Sequence, residues 1–201
     1  MFIVPSIASA NYLNLQECVE FADQEYGKLH FTIADGNFVP YITFGMRAMG
    51  QICDITKSIL SVHLLVTDPL PYVEPLAKCY PETVFLHLAS MRYPLEAVNR
   101  FRSKGLGVGA ALTPMESLDG LEYLLPQLDS ILQMTSEPDD RGREYLPGLE
   151  PKIKRLVETG IPVWLEGGIQ PVMAPHLEEL GVSALVMGKA LFRRDSFQDV
   201  F

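Results

Sequence analysis

Short apolar runs alternate with amphipathic stretches along the whole chain, at intervals of about 25 residues. Eight of these runs have the length and composition of buried β-strands: Phe2–Val4, Leu29–Ile33, Ile59–Leu65, Thr83–His87, Gly107–Leu112, Ser130–Met134, Pro162–Leu165 and Ala184–Met187. The stretches between them have helical spacing, as in Leu13–Phe21, Pro94–Arg102 and Pro151–Thr159. The pattern predicts eight strand–helix units in alternation.

Eight evenly spaced units of this kind predict an α/β fold, a (β/α)8 barrel of the TIM type. A doubly wound open sheet is the alternative, and the even spacing of eight units favours closure. No linker or change of composition divides the chain, so we expect residues 1–201 to form one domain. The last helix is short, and we expect it to be abbreviated or completed by a neighbouring subunit.

Polar residues follow the predicted strands at the points where the strands end. In barrels of this type the active site is built from those strand ends and the loops after them. The residues found there are Ser6, His30, Thr32, His63, His87, Glu166 and Gly188. Three of the four histidines are among them, which supports the barrel and predicts a site at its carboxyl-terminal end.

Composition excludes several classes of partner. The 201 residues are 48% hydrophobic and carry a net charge of −9, which argues against binding to nucleic acid or to an anionic membrane surface. No apolar run approaches the length of a membrane span. The amino terminus lacks a basic region and is interpreted as a first strand. Three scattered cysteines predict reduced thiols in a cytoplasmic protein.

His30, His63 and Glu166 form a candidate metal site of two histidines and one carboxylate. Imidazole and carboxylate ligands suit zinc, iron(II), cobalt or manganese. The three residues belong to the second, third and seventh units, so they could converge only inside a closed barrel. The alternative is that both histidines are hydrogen-bonded core residues without a metal.

The segment from Lys28 to Gly45 resembles the signature of ribulose-phosphate 3-epimerases, His-x-Asp-x-Met-Asp-Gly-x-Phe-Val-Pro-Asn-x-Thr-Phe-Gly. The positions that match are His30, Asp35, Gly36, Phe38, Val39, Pro40, Thr43, Phe44 and Gly45. Thr32 does not match, because the family has at that position an aspartate that binds the metal and removes a proton. The resemblance therefore implies a metal-dependent sugar-phosphate epimerase that lacks one of its two proton-transfer carboxylates.

Three further segments extend the resemblance over nearly the whole chain: Pro5–Ser9, Ser61–Pro69 and Val163–Ile169. It implies that His63 is the second metal histidine, beside the substrate, and that Ser6 contacts the substrate. Glu166 stands where the family has an aspartate that binds the metal and serves as the second acid or base. A phosphorylated sugar as ligand and assembly into dimers or larger homo-oligomers are also implied.

This chain departs from the family at positions that transfer protons. Thr32 cannot ionise near neutral pH, so Glu166 alone would remove and return a proton on one face of the substrate. Asp35 is the nearest candidate to replace the lost base. Three interpretations follow: a divergent epimerase of phosphorylated ketoses in which inversion is impaired, a non-catalytic sugar-phosphate binding protein, or a metal-assisted isomerase or lyase that needs one base.

The pocket that would hold the substrate and its phosphate has changed in part. Of three methionines that cap the substrate in the family, Met134 is retained, and Ala34 and Leu65 replace the others. In the phosphate loop Gly142 remains, and Arg141 or Arg143 could clamp a phosphate, although a solvated charged loop is an equal alternative. Anion binding is predicted at the positions Gly167, Gly168, Gly188 and Lys189. His87 is interpreted as structural or as a residue behind the metal ligands, and His176 as a surface residue.

Overall fold

The computed structural model describes residues 1–139 and 143–192. Eight parallel strands form one sheet in the order β1-β8-β7-β6-β5-β4-β3-β2. They are β1 Phe2–Pro5, β2 Lys28–Ala34, β3 Ile59–Leu65, β4 Thr83–Leu86, β5 Gly107–Leu112, β6 Ser130–Met134, β7 Val163–Glu166 and β8 Ala184–Met187. β1 and β2 meet at an isolated parallel bridge between Ser6 and His30. The predicted (β/α)8 barrel is confirmed.

Each α-helix follows a strand or the short 3-10 turns after it. They are α1 Leu15–Glu25, α2 Met46–Cys53, α3 Val73–Cys79, α4 Pro94–Arg102, α5 Glu150–Val157, α6 Ala174–Glu179 and α7 Lys189–Phe192. Between β5 and β6 the predicted helix is the 3-10 helix Glu122–Gln127 and not an α-helix. Pro126 lies inside that segment and has no backbone N–H to donate, which is unfavourable in an α-helix.

Two layers of side chains bury the sheet. Residues on its outer face pack against the helices, and residues on its inner face fill the barrel interior. Both faces of each strand are therefore covered, and this is why the strands are continuous apolar runs in the sequence. The cysteines Cys18, Cys53 and Cys79 pack against this outer core from α1, α2 and α3. None of the helices in residues 1–139 and 143–192 is long and apolar enough to cross a membrane.

The lower part of the barrel interior is filled by apolar side chains: Val4, Phe85, Ala111, Leu132, Trp164, Ala184 and Val186. The rings of Phe85 and Trp164 lie 5.2 Å apart, and a Cβ atom at Gly109 would collide with the Phe85 ring. His30 lies against the same ring, with 6.2 Å between ring centroids. These apolar side chains fill part of the barrel interior, and the ring of Phe85 connects them to His30.

Candidate active site

His30 lies fully buried near the centre of β2. Its Nδ1 lies 2.8 Å from the hydroxyl of Ser61 on β3. Its Nε2 is buried, has no hydrogen-bond partner among the described residues and lies 3.8 Å from Oε2 of Glu166. Burial lowers the pKa of His30 to about 4 because the charged form is poorly solvated there. His30 is therefore neutral at pH 7 and directs an unpartnered nitrogen toward Glu166.

His63, on β3, approaches the same carboxylate from another side. Its Nδ1 lies 2.8 Å from Oε2 of Glu166, and its Nε2 lies 2.9 Å from Nε2 of His87. One nitrogen from each of His30 and His63 and an oxygen of Glu166 all lie within 4.8 Å of one another. The barrel thus brings together three residues that belong to β2, β3 and β7, as the sequence predicted.

Glu166 ends β7 and lies beside Thr32 of β2. The hydroxyl of Thr32 donates a hydrogen bond of 3.0 Å to Oε1 of Glu166. Burial raises the pKa of Glu166, but the charges of His63 and His30 and the hydrogen bonds from His63 and Thr32 outweigh it and hold the pKa at about 2. Glu166 is therefore ionised at neutral pH, with both oxygens directed by neighbours.

The chemistry of these donors fits a divalent cation. Two imidazoles and a carboxylate are ligands that zinc, iron(II), cobalt and manganese accept. The buried Nε2 of His30 supplies an independent indication, since a buried polar atom without a partner is costly unless something else satisfies it. The residues that could hold a metal are His30, His63 and Glu166.

A cavity of about 780 Å³ opens above this cluster. Thr32 and Glu166 line one side of it, and Ser6 and Met134 lie in its wall. Three glycines and a cation also line it: Gly167, Gly168, Gly188 and Lys189. Six residues predicted to bind substrate or phosphate therefore line one cavity: Ser6, Met134, Gly167, Gly168, Gly188 and Lys189. His63, also predicted to lie beside the substrate, contacts Glu166, which lines the same cavity. Arg141 and Gly142, predicted to bind phosphate, lie outside the described residues.

Gly167 and Gly168 allow the loop after β6 to pack directly on the end of β7. Both have positive φ values, 120° and 65°, which residues with a Cβ rarely adopt. A Cβ atom at Gly167 would collide with Ser136, and one at Gly168 would collide with the backbone of residues 143–145. Both glycines also line the cavity, so the backbone of this turn forms part of its surface.

Residues that replace the family's methionines form an apolar wall beside the cavity. Ala34, Val39, Leu65 and Met134 make one buried cluster, with Phe38 and Tyr41 packed against it. Tyr41 also lines the cavity itself. The wall is apolar and contains one long flexible side chain, Met134, which suits contact with a carbon skeleton rather than with a charged group.

The structure does not bring Asp35 into the cavity that Glu166 lines. Asp35 accepts backbone hydrogen bonds of 2.8 Å from Asn37, 2.8 Å from Phe38 and 2.9 Å from Thr67. Burial raises its pKa, but these hydrogen bonds outweigh it and lower the pKa to about 2. It lines a separate hollow beside Tyr72. The geometry makes Asp35 an organiser of the loop after β2.

Sequence reasoning missed Glu116 and Ser61. Glu116 Oε2 lies 2.9 Å from Nδ1 of His87, and Ser61 contacts His30. Glu116 follows β5 by four positions, where the strand-end rule could have found it. Ser61 lies in the first half of β3, two residues before His63, and the alternation of side chains along a strand was the signal that could have found it. His176 has an exposed side chain and pairs with Glu150 at 3.0 Å, which agrees with its predicted surface position.

The fold and the cavity define an α/β-barrel protein whose candidate site lies at the carboxyl ends of its strands, and comparisons with known proteins identify the family. Residues 2–192 match the family model described as "Ribulose-phosphate 3 epimerase family". The chain belongs to the ribulose-phosphate 3-epimerase family, as its resemblance implied.

Relatives align with almost the whole chain. A ribulose-phosphate 3-epimerase of Synechocystis sp. is 34% identical, with 98% of this chain and 90% of the relative covered. The chloroplastic ribulose-5-phosphate-3-epimerase of Arabidopsis thaliana is 32% identical, with 96% and 72% covered. The ribulose-phosphate 3-epimerase of Methanocaldococcus jannaschii is 30% identical, with 94% and 83% covered.

Solved structures with the same architecture include tryptophan synthase from Pyrococcus furiosus. The tryptophan synthase complex aligns with a TM-score of 0.70 at 13% identity, with 96% of this chain and 90% of that chain covered. A mutant of its alpha-subunit aligns with a TM-score of 0.72 at 12% identity, with 95% and 88% covered. At such low identity the likeness concerns the barrel fold alone.

Proposed function

We propose that this protein transfers a proton on a phosphorylated ketose with the help of a divalent metal held by His30, His63 and Glu166. The observation that supports the proposal most is the convergence of these three residues on the cavity floor, with a buried nitrogen of His30 left unpartnered. The curated relatives are named as epimerases of ribulose phosphate, which supports a substrate of that class.

The cavity offers different surfaces to the two ends of such a substrate. The glycines beside Lys189 would receive the phosphate, through exposed backbone groups and one positive charge. The apolar wall that contains Met134 would cover the carbon chain, and Ser6 would contact a substrate oxygen. The reacting carbon would then lie near Glu166, which lines the same cavity.

Glu166 is the proposed acid and base. A bound divalent cation would stabilise the negative charge that develops on substrate oxygen when the proton is removed. Glu166 would take that proton on an oxygen and return it to the same carbon. The hydroxyl of Thr32 holds Oε1 of Glu166 in place at 3.0 Å, but it cannot itself act as a base near neutral pH.

Because Thr32 cannot act as a base, proton transfer is limited to one face of the substrate carbon. Inversion at a carbon needs proton removal on one face and delivery on the other. Glu166 is the one carboxylate in the candidate metal cluster of the described residues. We therefore expect rapid proton exchange with solvent and slow epimerisation, which is a divergent form of the family's reaction.

The first experiment measures bound metal. Protein purified without chelators or affinity metal would be assayed for zinc, iron, cobalt and manganese, beside a His30→Ala/His63→Ala variant. About one metal per chain that is lost in the variant supports the proposal. A wild-type protein that binds added metal no better than the variant contradicts it and favours a non-catalytic sugar-phosphate binding protein.

The second experiment separates exchange from inversion. Ribulose 5-phosphate would be incubated with the metal-loaded protein in heavy water, and deuterium at carbon 3 would be followed together with formation of the 3-epimer. We expect deuterium to enter faster than the epimer forms. Glu166→Gln should abolish the exchange. Equal rates of exchange and epimerisation would show that Thr32 does not impair inversion.

Assembly and location complete the proposal. We infer that the protein is a homo-oligomer, because the family resemblance implies one. We infer that it works in the cytoplasm, because its three scattered cysteines fit a reducing compartment. Light scattering on the purified protein tests the first point, and a molar mass of one chain at micromolar concentration contradicts it. Fractionation of the cells that produce the protein tests the second.

A further inference from the structure

Cys53 and Cys79 end two neighbouring helices in the outer layer of the barrel. Cys53 is the last residue of α2, and Cys79 is the last residue of α3. Each helix runs from the carboxyl end of one strand toward the amino end of the next, so the two helices are parallel, and they contact each other. Their last residues therefore lie at the same end of the barrel, opposite the candidate active site.

The two side chains meet at the edge of the outer core. Both pack against the same cluster of buried residues, to which Ile52 and Leu76 belong. The thiol of Cys53 forms a hydrogen bond with the thiol of Cys79. Each cysteine is half-buried and belongs to no disulfide. The two sulfur atoms are therefore neighbours, and small molecules in solvent can approach them.

The backbone that follows each cysteine is firmly held. Tyr80 adopts a left-handed conformation, with a φ value of 47°, and so ends α3 directly after Cys79. In the segment that follows Cys53, the backbone N–H of Ser58 donates a hydrogen bond of 3.0 Å to the carboxylate of Asp23 on α1. The proximity of the two thiols is thus a property of the packed helices and not of a loop.

We propose that Cys53 and Cys79 are a reversible redox pair, which a hydroperoxide oxidises to a disulfide that links α2 to α3. The inference is independent of the proposed function, because both thiols lie at the opposite end of the barrel from the candidate cavity. Disulfides of cytoplasmic proteins are typically transient and sense oxidants. The pair would link the stability of the protein to the level of oxidant.

The first step of the oxidation takes place at Cys79. Burial raises the pKa of the Cys53 thiol, and the hydrogen bond with Cys79 raises it further, so Cys53 stays protonated at neutral pH and reacts slowly. The thiolate of Cys79 attacks one oxygen of the hydroperoxide, and the O–O bond breaks. The departing hydroxide or alkoxide takes up the proton that the thiol has lost. Cys79 is then a sulfenic acid.

The second step joins the two sulfur atoms. The sulfur of Cys53 attacks that of Cys79, so that the S–S bond forms and the S–O bond breaks. The departing hydroxide takes the proton of Cys53 and leaves as water. The two thiols lose two electrons in total, and the hydroperoxide gains two and becomes water and an alcohol, or two molecules of water. A thiol such as glutathione reverses the bond by exchange.

Peptide mapping tests the proposal directly. Full-length protein, reduced and then freed of reductant, would be treated with hydrogen peroxide and, in a second sample, with oxidised glutathione. We expect the number of free thiols to fall from three to one, with one pair of peptides joined through Cys53 and Cys79, and dithiothreitol should reverse both changes. Absence of that pair with both oxidants overturns the proposal, and so does a main product that joins Cys18 or two chains.

Serine variants separate the three cysteines. Cys18→Ser is the matched control, because Cys18 lies on α1, and it should form the bond as the wild type does. Cys53→Ser should stop at the sulfenic acid of Cys79, which dimedone traps. Cys79→Ser should yield neither product, and dimedone bound to Cys53 in this variant would overturn the assigned order of the steps. Thermal unfolding identifies folded variants, and alanine replaces serine wherever the serine variant does not fold.

The melting temperature is the second readout. The disulfide closes a loop that contains residues 54–78, and a cross-link of that size should raise the melting temperature by roughly 5–15 °C. We expect this rise on oxidation of the wild type and of Cys18→Ser, and no rise in Cys53→Ser or Cys79→Ser. A disulfide that forms but does not raise the melting temperature would show that the bond distorts the native structure, and it would overturn the proposal.

Discussion

The hydroxyl of Thr32 donates a 3.0 Å hydrogen bond to Oε1 of Glu166, although the two residues are 134 positions apart in the chain. The contact joins β2 to β7 across the barrel mouth. Thr32 occupies the position where the family resemblance places a second carboxylate. A hydroxyl here orients Glu166 without competing with it for a proton, and this relationship distinguishes the site from one with two acidic groups.

Thr32→Asp should restore inversion. The new carboxylate would lie beside Glu166 and could serve as a second acid or base, and such groups contribute roughly 10²–10⁴-fold to proton transfer. We expect the rate of epimerisation relative to exchange to rise by at least the lower end of that range. The measurement is the heavy-water assay on ribulose 5-phosphate, with both rates taken from the same sample.

Thr32→Asn is the matched control, because asparagine has the same shape as aspartate and cannot ionise. It should leave the ratio of the two rates unchanged. Thr32→Asp should also lower the thermal stability of the metal-free protein, because two carboxylates would then repel each other, and added zinc should restore it. An unchanged ratio in a stable, metal-loaded Thr32→Asp variant would contradict the proposed role of this position.

Stability of the metal-free protein should fall as the pH is lowered from about 6.5. The pKa of His30 is about 4 in the folded state, below its ordinary value, so the unfolded state binds a proton first and is favoured between pH 6.5 and 4. The pKa of Glu166 is about 2, so its stabilisation is lost between its ordinary pKa of 4.5 and 2. Urea unfolding at several pH values measures the effect.

A single proton bound only by the unfolded state changes the free energy of unfolding by about 1.4 kcal/mol per pH unit. His30→Phe should therefore flatten the slope between pH 6.5 and 4. His176→Gln should not, because His176 has an exposed side chain and lies outside the cluster. A slope that persists in a folded His30→Phe variant would assign the effect to other groups.

Asp35→Ala should destabilise the protein without acting as the loss of a catalytic base. Its carboxylate accepts hydrogen bonds from the N–H groups of Asn37, Phe38 and Thr67. A hydrogen bond of this kind contributes about 0.5–1.5 kcal/mol, and water will replace part of the loss because the bonds from Asn37 and Thr67 are exposed. Proton exchange should fall far less than in Glu166→Gln. A loss of exchange as large as that of Glu166→Gln, in a folded variant, would make Asp35 catalytic.

Lys152→Met should loosen the loop that carries Glu116. Nζ of Lys152 donates to three carbonyls of that loop, and hydrogen bonds to a charged group contribute about 1.5–3 kcal/mol each. We expect a loss of stability of at least that size, measured by urea unfolding. Lys104→Met is the control, since the side chain of Lys104 forms an exposed ion pair with Glu74 and donates no hydrogen bond to a loop carbonyl among the contacts described. Equal losses of stability in Lys152→Met and Lys104→Met would show that Lys152 does not hold this loop in place.

The sequence by itself determined the barrel and the core of the site. β3, β5, β6 and β8 have the predicted bounds residue for residue, because strands buried on both faces must be continuous apolar runs. The placement of Glu166, the last residue of β7, followed from the rule that the carboxyl ends of parallel strands meet at one end of a barrel. His30 was expected at a strand end but lies near the centre of β2, and it reaches the cluster from inside the barrel. Neither inference required knowledge of a single side-chain contact.

Only the tertiary structure decided what surrounds those ligands. The distance from Glu116 to His87 and the withdrawal of Asp35 into its own loop both depend on loop conformations. Those conformations are set by contacts between distant segments, such as that of Lys152 with residues 113–116, and sequence periodicity does not report such contacts. The same reason applies to Thr32, because its role is fixed by which oxygen of Glu166 its hydroxyl reaches across the barrel.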